Sequence, residues 1–211
     1  MPLYRTYKQG DLMVGVWKVD ETVEQLRSMF HQFSIYEEGF NRFSADKRKQ
    51  EWLAVRVLLK ELCGGEEKEI AYHPSGKPYL KDGSACVSFS HTQGYVAVAI
   101  HPEAEVGIDI EQYGTRVQRV ASRFIREDEK VSIESGDEIY ALLLHWSAKE
   151  TMFKLMEDEA VDFINHLQIL PFQPMDSGVM DACEYRSGHE QKFLIHYETH
   201  TDYVLTFARS L

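Results

Sequence analysis

Two long helix-patterned segments, each set among short β-rich runs, constrain the fold of this 211-residue chain more than any other feature. The first runs from Ser44 or Asp46, either of which can cap it, through Leu62, and stops at Gly64-Gly65. Trp52, Val55, Leu59 and Leu62 recur along it at helical spacing. The second spans residues 137–156 and runs into the acidic Glu157-Asp158-Glu159. Strand-like runs at 12–19, 87–90 and 95–100 surround the first helix, and Ser75-Gly76-Lys77-Pro78 reads as a turn. Runs at 106–111, 164–170, 192–197 and 203–208 surround the second. A further helix, with an interruption, is expected over 118–134. Strands that follow one another in sequence alongside few helices predict an α+β fold rather than a doubly wound parallel sheet. The polar break His101-Pro102-Glu103 divides the chain into 1–102 and 103–211.

Composition narrows the function classes. With 44% hydrophobic and 27% charged residues, the chain can bury a core of ordinary size. Its 23 Lys and Arg against 34 Asp and Glu leave a formal charge of -11, so a basic nucleic-acid-binding coat is not expected. Cys63, Cys86 and Cys183 form no CxxC pair and read as buried free thiols of a reducing compartment. The opening MPLYRTYKQGD lacks a signal-peptide layout, and no run approaches the roughly 20 apolar residues of a membrane span. A cytoplasmic protein is therefore expected.

Three segments carry candidate chemistry. In Val106-Gly107-Ile108-Asp109-Ile110-Glu111, strand alternation puts Asp109 and Glu111 on one side, with Ile108 and Ile110 turned into a core. Two neighbouring carboxylates repel unless water or a cation relieves them, and hard oxygen ligands suit Mg²⁺. The same D-x-E pattern also occurs on solvated strand faces. In Trp146-Ser147-Ala148-Lys149-Glu150-Thr151-Met152-Phe153-Lys154, helical spacing gathers Trp146, Glu150, Phe153 and Lys154 on one broad face. That pattern fits a catalytic wall, or a surface Glu-Lys pair above two core aromatics. In Val87-Ser88-Phe89-Ser90-His91, Ser90 and His91 fall at a strand end where donors can meet a phosphate. No G-x-S-x-G elbow surrounds Ser90, and no Walker A, G-x-G-x-x-G or zinc-type spacing occurs. His145, inside the second helix, reads as structural.

Taken in order, SGKPYL, SFSHTQGY, VGIDIE and WSAKETMFK closely resemble the 4'-phosphopantetheinyl transferases of the surfactin-synthetase-activating type. RKQEWLAVRVLLKEL upstream looks like that family's N-terminal helix. The likeness runs from about Asp46 to Lys154. It implies two similar α+β halves in one chain, a pseudo-dimer with coenzyme A in the cleft between them, and no need of a second chain, so a monomer is expected. It implies transfer of the phosphopantetheine arm of coenzyme A to a serine of an apo acyl, peptidyl or polyketide carrier protein, as in a holo-[acyl-carrier-protein] synthase, with adenosine 3',5'-bisphosphate leaving. By similarity, Asp109, Glu111 and Glu150 are the magnesium acids and Lys154 is the lysine near the transferred phosphate. Ser90, His91 and Lys77 match residues that hold the phosphates of coenzyme A, Arg56 matches the helix arginine, and Arg48 is a candidate for the 3'-phosphate. Thr92-Gln93-Gly94 departs from the small residue and glycine that often follow Ser-His, which alters the loop over the phosphates.

Two other functions use the same residues. A magnesium-dependent coenzyme A or nucleotide pyrophosphatase would use the acids with water as acceptor. A non-catalytic carrier-binding module would not need them. Independently of the resemblance, Arg116, Arg119, Arg123 and Arg126 are spaced 3, 4 and 3, so on a helix they form one basic stripe. In a chain this acidic, such a stripe suits the acidic helix that the resemblance implies on a carrier protein; Glu127, Asp128 and Glu129 offer the alternative of a neutralised, solvated face.

Overall fold

The computed structural model describes residues 3–129, 137–156, 160–186 and 190–210. The chain forms two compact units, Met1–Glu103 and Ala104–Leu211. Each is an α+β unit in which a long helix covers an antiparallel sheet.

In the first unit, strands β1 (Leu3–Gln9), β2 (Leu12–Lys18), β5 (Cys86–Thr92) and β6 (Tyr95–His101) pair in the order β1-β2-β6-β5. Gly10 and Gly94 take left-handed φ values of 58° and 77° in the two tight turns, where a side chain would be strained. Short helices α1 (Val23–Ser28) and α2 (Glu37–Asn41) precede the long α3 (Asp46–Leu62). β3 (Ile70–Tyr72) and β4 (Pro78–Leu80) form a separate ladder around the expected 75–78 turn. α3 packs on the sheet through Leu53, Val57 and Leu58, against Trp17, Val96 and Val98. A Cβ on Gly15 of β2 would stand 2.7 Å from Leu58 Cδ1, so this glycine lets the helix sit close.

In the second unit, β7 (Val106–Gln112), β8 (Leu167–Ile169), β9 (Ser177–Glu184), β10 (Gln191–Thr199) and β11 (Tyr203–Arg209) pair in the order β7-β11-β10-β9-β8. The long helix α4 (Glu138–Leu155) starts at Asp137, whose carboxylate accepts from the Ile139 and Tyr140 amides. Leu144, Ala148 and Met152 of α4 meet Phe193 and Ile195 of β10 in the core.

Several expectations need correction. α3 begins after Ala45 with no side-chain cap, so neither Ser44 nor Asp46 fills that role. The expected strand at 164–170 shrinks to Leu167–Ile169. β1, β9, α1 and the β3-β4 ladder went unpredicted. Of the three cysteines, all free, only Cys183 is buried; Cys63 and Cys86 are half-buried. The helix expected over 118–134 is absent from its described part: two 3₁₀ turns, Thr115–Arg119 and Ala121–Arg123, are followed by irregular chain. Residues 130–134 and Glu157-Asp158-Glu159 lie outside the described residues. The physical reason is tertiary. The Phe124 carbonyl accepts from the Lys149 ammonium at 2.6 Å, and the Arg126 amide donates to Glu129 at 2.7 Å. Backbone groups that a helix would pair internally are thus held by side chains, and intrinsic propensity gives way.

Candidate active site

The site of the second unit is built where α4 crosses β7. Gly107, Asp109 and Glu111 alternate onto the face of β7 that α4 covers. A Cβ on Gly107 would collide with the Thr151 carbonyl oxygen and stand 3.0 Å from Leu155 Cγ. The glycine therefore lets helix backbone rest directly on strand backbone. The facing side of α4 is small and hydroxylated for the same purpose. Ser147 and Thr151 hydroxyls lie 2.8 and 2.7 Å from the Thr206 hydroxyl of β11. This close approach sets Glu150 and Lys154 beside Asp109. We expect Gly107→Ala to destabilise the protein by about 1–3 kcal/mol through overpacking against rigid backbone. Chemical denaturation measures this, and an unchanged midpoint would mean that α4 yields at no cost.

Asp109 is buried at 4% exposure, and Ile108 and Ile110 are buried on the opposite face. The Lys154 ammonium donates to Asp109 Oδ1 and to the Ile108 carbonyl, both at 2.8 Å. Trp146 Nε1 donates to Glu111 Oε1 at 2.7 Å. Glu150 is half-buried. Burial, then the negative charge of Asp109 and of Glu111, push the Glu150 carboxyl up to about 7, with Lys154 opposing. Burial and Asp109 likewise raise Glu111, against the Trp146 hydrogen bond. Asp109 thus acts on both glutamates, and Glu111 acts on Glu150. Even so, among the described residues no three His, Cys, Asp or Glu groups stand arranged to hold a metal ion. Lys154 engages one Asp109 oxygen and Trp146 engages one Glu111 oxygen, and both contacts relieve the mutual repulsion. The donor set itself, carboxylate oxygens around a half-buried position, has the chemistry that Mg²⁺ takes.

Linkage gives the site a pH signature. Glu150 has a folded pKa of about 7, above its ordinary 4.5, so the folded state binds the proton more tightly than the unfolded state. Its ionisation costs nothing below pH 4.5, costs progressively more as pH rises towards 7, and reaches its full penalty above that. Glu150→Gln removes the penalty. In a chelating buffer the variant is expected to be more stable than wild type at pH 8 by up to about 3 kcal/mol, and little different at pH 4.5. Thermal unfolding at the two pH values checks this; equal stability at pH 8 would contradict the burial of that charge.

Lys149, next to these residues in sequence, plays a different part. It is fully buried, and its ammonium donates to the Phe124 carbonyl (2.6 Å), the Phe163 carbonyl (3.0 Å) and Glu129 Oε2 (2.9 Å). Burial pulls this ammonium down, and the Glu129 charge opposes. Glu129 in turn accepts from the Ile169 and Arg126 amides. Lys149 is therefore a peg that fastens the 124–129 and 163–169 segments to α4. Its neighbour His145 is structural as expected, buried with Nδ1 2.8 Å from the Ala141 carbonyl.

The first unit holds a second group. His91 lies on β5 with its Nε2 3.0 Å from Arg48 Nη1 of α3. Glu51 Oε2 lies 3.2 Å from Arg48 Nη1 and 3.4 Å from His91 Nε2. Ser90 precedes His91 in the β5–β6 ladder. Lys77 sits in the β3-β4 turn, which Gly76 makes with a φ of 87°, and its amide donates to Ser75 Oγ at 3.4 Å. Arg56, two turns along α3 from Arg48, is buried with its guanidinium carbon 3.3 Å from the Trp52 ring centroid. Arg116, Arg119 and Arg123 are exposed on the 3₁₀ turns. They do not form an α-helical stripe, and Arg126 leaves the group: it binds Asp128 and the Ile164 and Asn165 carbonyls.

Glu51, Gly107 and Lys149 were missed as site-building residues. The Arg48-Glu51 i,i+3 spacing hinted at the first. Gly107 gave the familiar signal of a glycine inside a strand, a close backbone approach. Nothing in the sequence distinguishes Lys149 from a surface lysine.

The site is thus an acid-bearing edge strand beneath a helix that supplies a further carboxylate and a lysine. Residues 105–208 match the family model of the 4'-phosphopantetheinyl transferase superfamily. Its members are transferases that place phosphopantetheine on carrier proteins. No match to the chain was found among curated proteins. No helix among the described residues is long and apolar enough to cross a membrane.

Proposed function

We propose that this chain transfers the 4'-phosphopantetheine arm of coenzyme A to a serine of an apo carrier protein, releasing adenosine 3',5'-bisphosphate. The observation that carries this is the convergence of Asp109, Glu111, Glu150 and Lys154 at the α4–β7 crossing, within the segment that matches the superfamily. In this reading Asp109, Glu111 and Glu150 hold Mg²⁺, with Lys154 moving from Asp109 to the substrate phosphate. When bound by these residues, Mg²⁺ would supply positive charge for the pyrophosphate. Glu150, directly or through a water, accepts the proton of the attacking serine hydroxyl; because a metal-bound carboxylate is a weak base, the water relay suits that task at least as well. Arg48, His91, Ser90 and Lys77 of the first unit bind the phosphates of coenzyme A, the Arg48-His91 pair taking the 3'-phosphate. The two units are the halves of a pseudo-dimer acting as a monomer in the cytoplasm. Each carries one long helix on an antiparallel sheet, which supports that kinship.

Arg116, Arg119 and Arg123, exposed close after β7 in sequence, steer an acidic carrier surface by long-range attraction. Release of adenosine 3',5'-bisphosphate from coenzyme A tests the reaction class. It should require apo carrier protein. Release that proceeds equally without carrier would instead mark a pyrophosphatase. No release under either condition would leave a carrier-binding module.

A further inference from the structure

A cavity of about 460 Å³ opens inside the first unit, between α2, α3 and β3. Tyr36, Phe43, Trp52 and Tyr72 give it aromatic walls. Its charged lining is asymmetric. Arg42 pairs with Glu38, and Lys81 pairs with Glu69. Arg56 is matched by no carboxylate of the wall. Arg56 is 4% exposed and its guanidinium stacks on Trp52; Nη1 donates to the Trp52 carbonyl at 3.0 Å and the neutral Tyr72 side chain is a further hydrogen-bond partner, while the buried Nε has no acceptor.

A buried cation without a carboxylate partner is costly, and burial does pull Arg56 down, to about 10, with Tyr72 and Tyr36 only partly opposing. An anion in the cavity would relieve that cost. The walls set its shape. Aromatic rings on several sides favour a flat partner, and the volume admits a ligand of one or two rings. The neutralised Arg42-Glu38 and Lys81-Glu69 pairs leave a demand for a single negative charge.

We propose that this cavity is a binding site for a small planar monoanion, an aromatic carboxylate, with Arg56 as its charge partner and Trp52 as its stacking wall. This assigns Arg56 to a site of its own rather than to the phosphates of coenzyme A, and it stands whether or not the chain is a transferase.

The probes are benzoate and its neutral isostere benzamide, titrated against the full chain by calorimetry and by tryptophan fluorescence. Benzoate should bind saturably and about tenfold more tightly than benzamide, because its contact with the guanidinium is charge-assisted. Arg56→Gln should abolish that preference. Should Arg56→Gln fail to fold, Gly39→Ala tests the same cavity without touching its charge. The added Cβ would lie 2.7 Å from Trp52 Cζ2, so the indole must shift and both probes should weaken by about tenfold. Saturating coenzyme A should leave benzoate affinity unchanged. The proposal is overturned by absence of saturable benzoate binding, by equal affinity for the two probes, or by displacement of benzoate by coenzyme A. It is also overturned if Arg56→Gln instead erases discrimination between coenzyme A and its dephospho form.

Discussion

Lys149→Ala is expected to lower the stability of the protein by about 3–5 kcal/mol, the cost of breaking a buried ion pair from one side. The substitution strips the Phe124 and Phe163 carbonyls of their donor and leaves the Glu129 carboxylate buried with its counter-charge gone. Glu129 still accepts from the Ile169 and Arg126 amides, so it cannot simply swing to solvent. Lys149→Met fills the space but restores no donor and should lose nearly as much. Glu129→Gln keeps an acceptor for the amides and should cost less than either. Urea denaturation of the three variants reads the ranking. A loss below about 1 kcal/mol in Lys149→Ala would show that the ammonium contributes no more than a surface ion pair.

Asp109→Ala is expected to reduce phosphopantetheine transfer by roughly 100- to 1,000-fold, the scale on which one preorganised electrostatic contact to a transition state is lost. Stability should change far less. The variant loses the Lys154 contact but also relieves repulsion with Glu111 and Glu150, whose carboxyls Asp109 pushes upward. A steady-state assay at saturating Mg²⁺, run beside a melting curve, separates the two effects. Activity within a few-fold of wild type would remove Asp109 from the chemistry. A collapsed melting temperature would make it a structural residue.

The elements most legible in the sequence are those whose pattern is local. α3 and α4 announce themselves by helical periodicity, and Gly64-Gly65 and Asp137 mark their ends. β7 is read from its alternation, which also puts Asp109 and Glu111 on one face. What the sequence conceals is decided across the fold. Residues 118–129 carry spacing compatible with a helix, yet they form 3₁₀ turns and irregular chain, and the Lys149 ammonium and the Glu129 carboxylate take the Phe124 carbonyl and the Arg126 amide that a helix would pair internally. β9 alternates poorly, with Gly178 set where a Cβ would meet the Tyr197 ring, so its strand character comes from its partner β10. The candidate site divides in the same way. Its acids and Lys154 are visible from spacing, whereas the closeness of α4 to β7 depends on Gly107 meeting Thr151 from a distant part of the chain.

Group transfer onto a carrier serine is read from the mass of an apo carrier protein incubated with this chain, coenzyme A and Mg²⁺. The carrier should gain the mass of one phosphopantetheine group, a gain abolished when its acceptor serine is replaced by alanine and strongly reduced with Asp109→Ala or Glu150→Ala. An unmodified mass across a panel of fatty-acid, peptide and polyketide apo carriers, with the wild-type protein folded and binding coenzyme A, would contradict it.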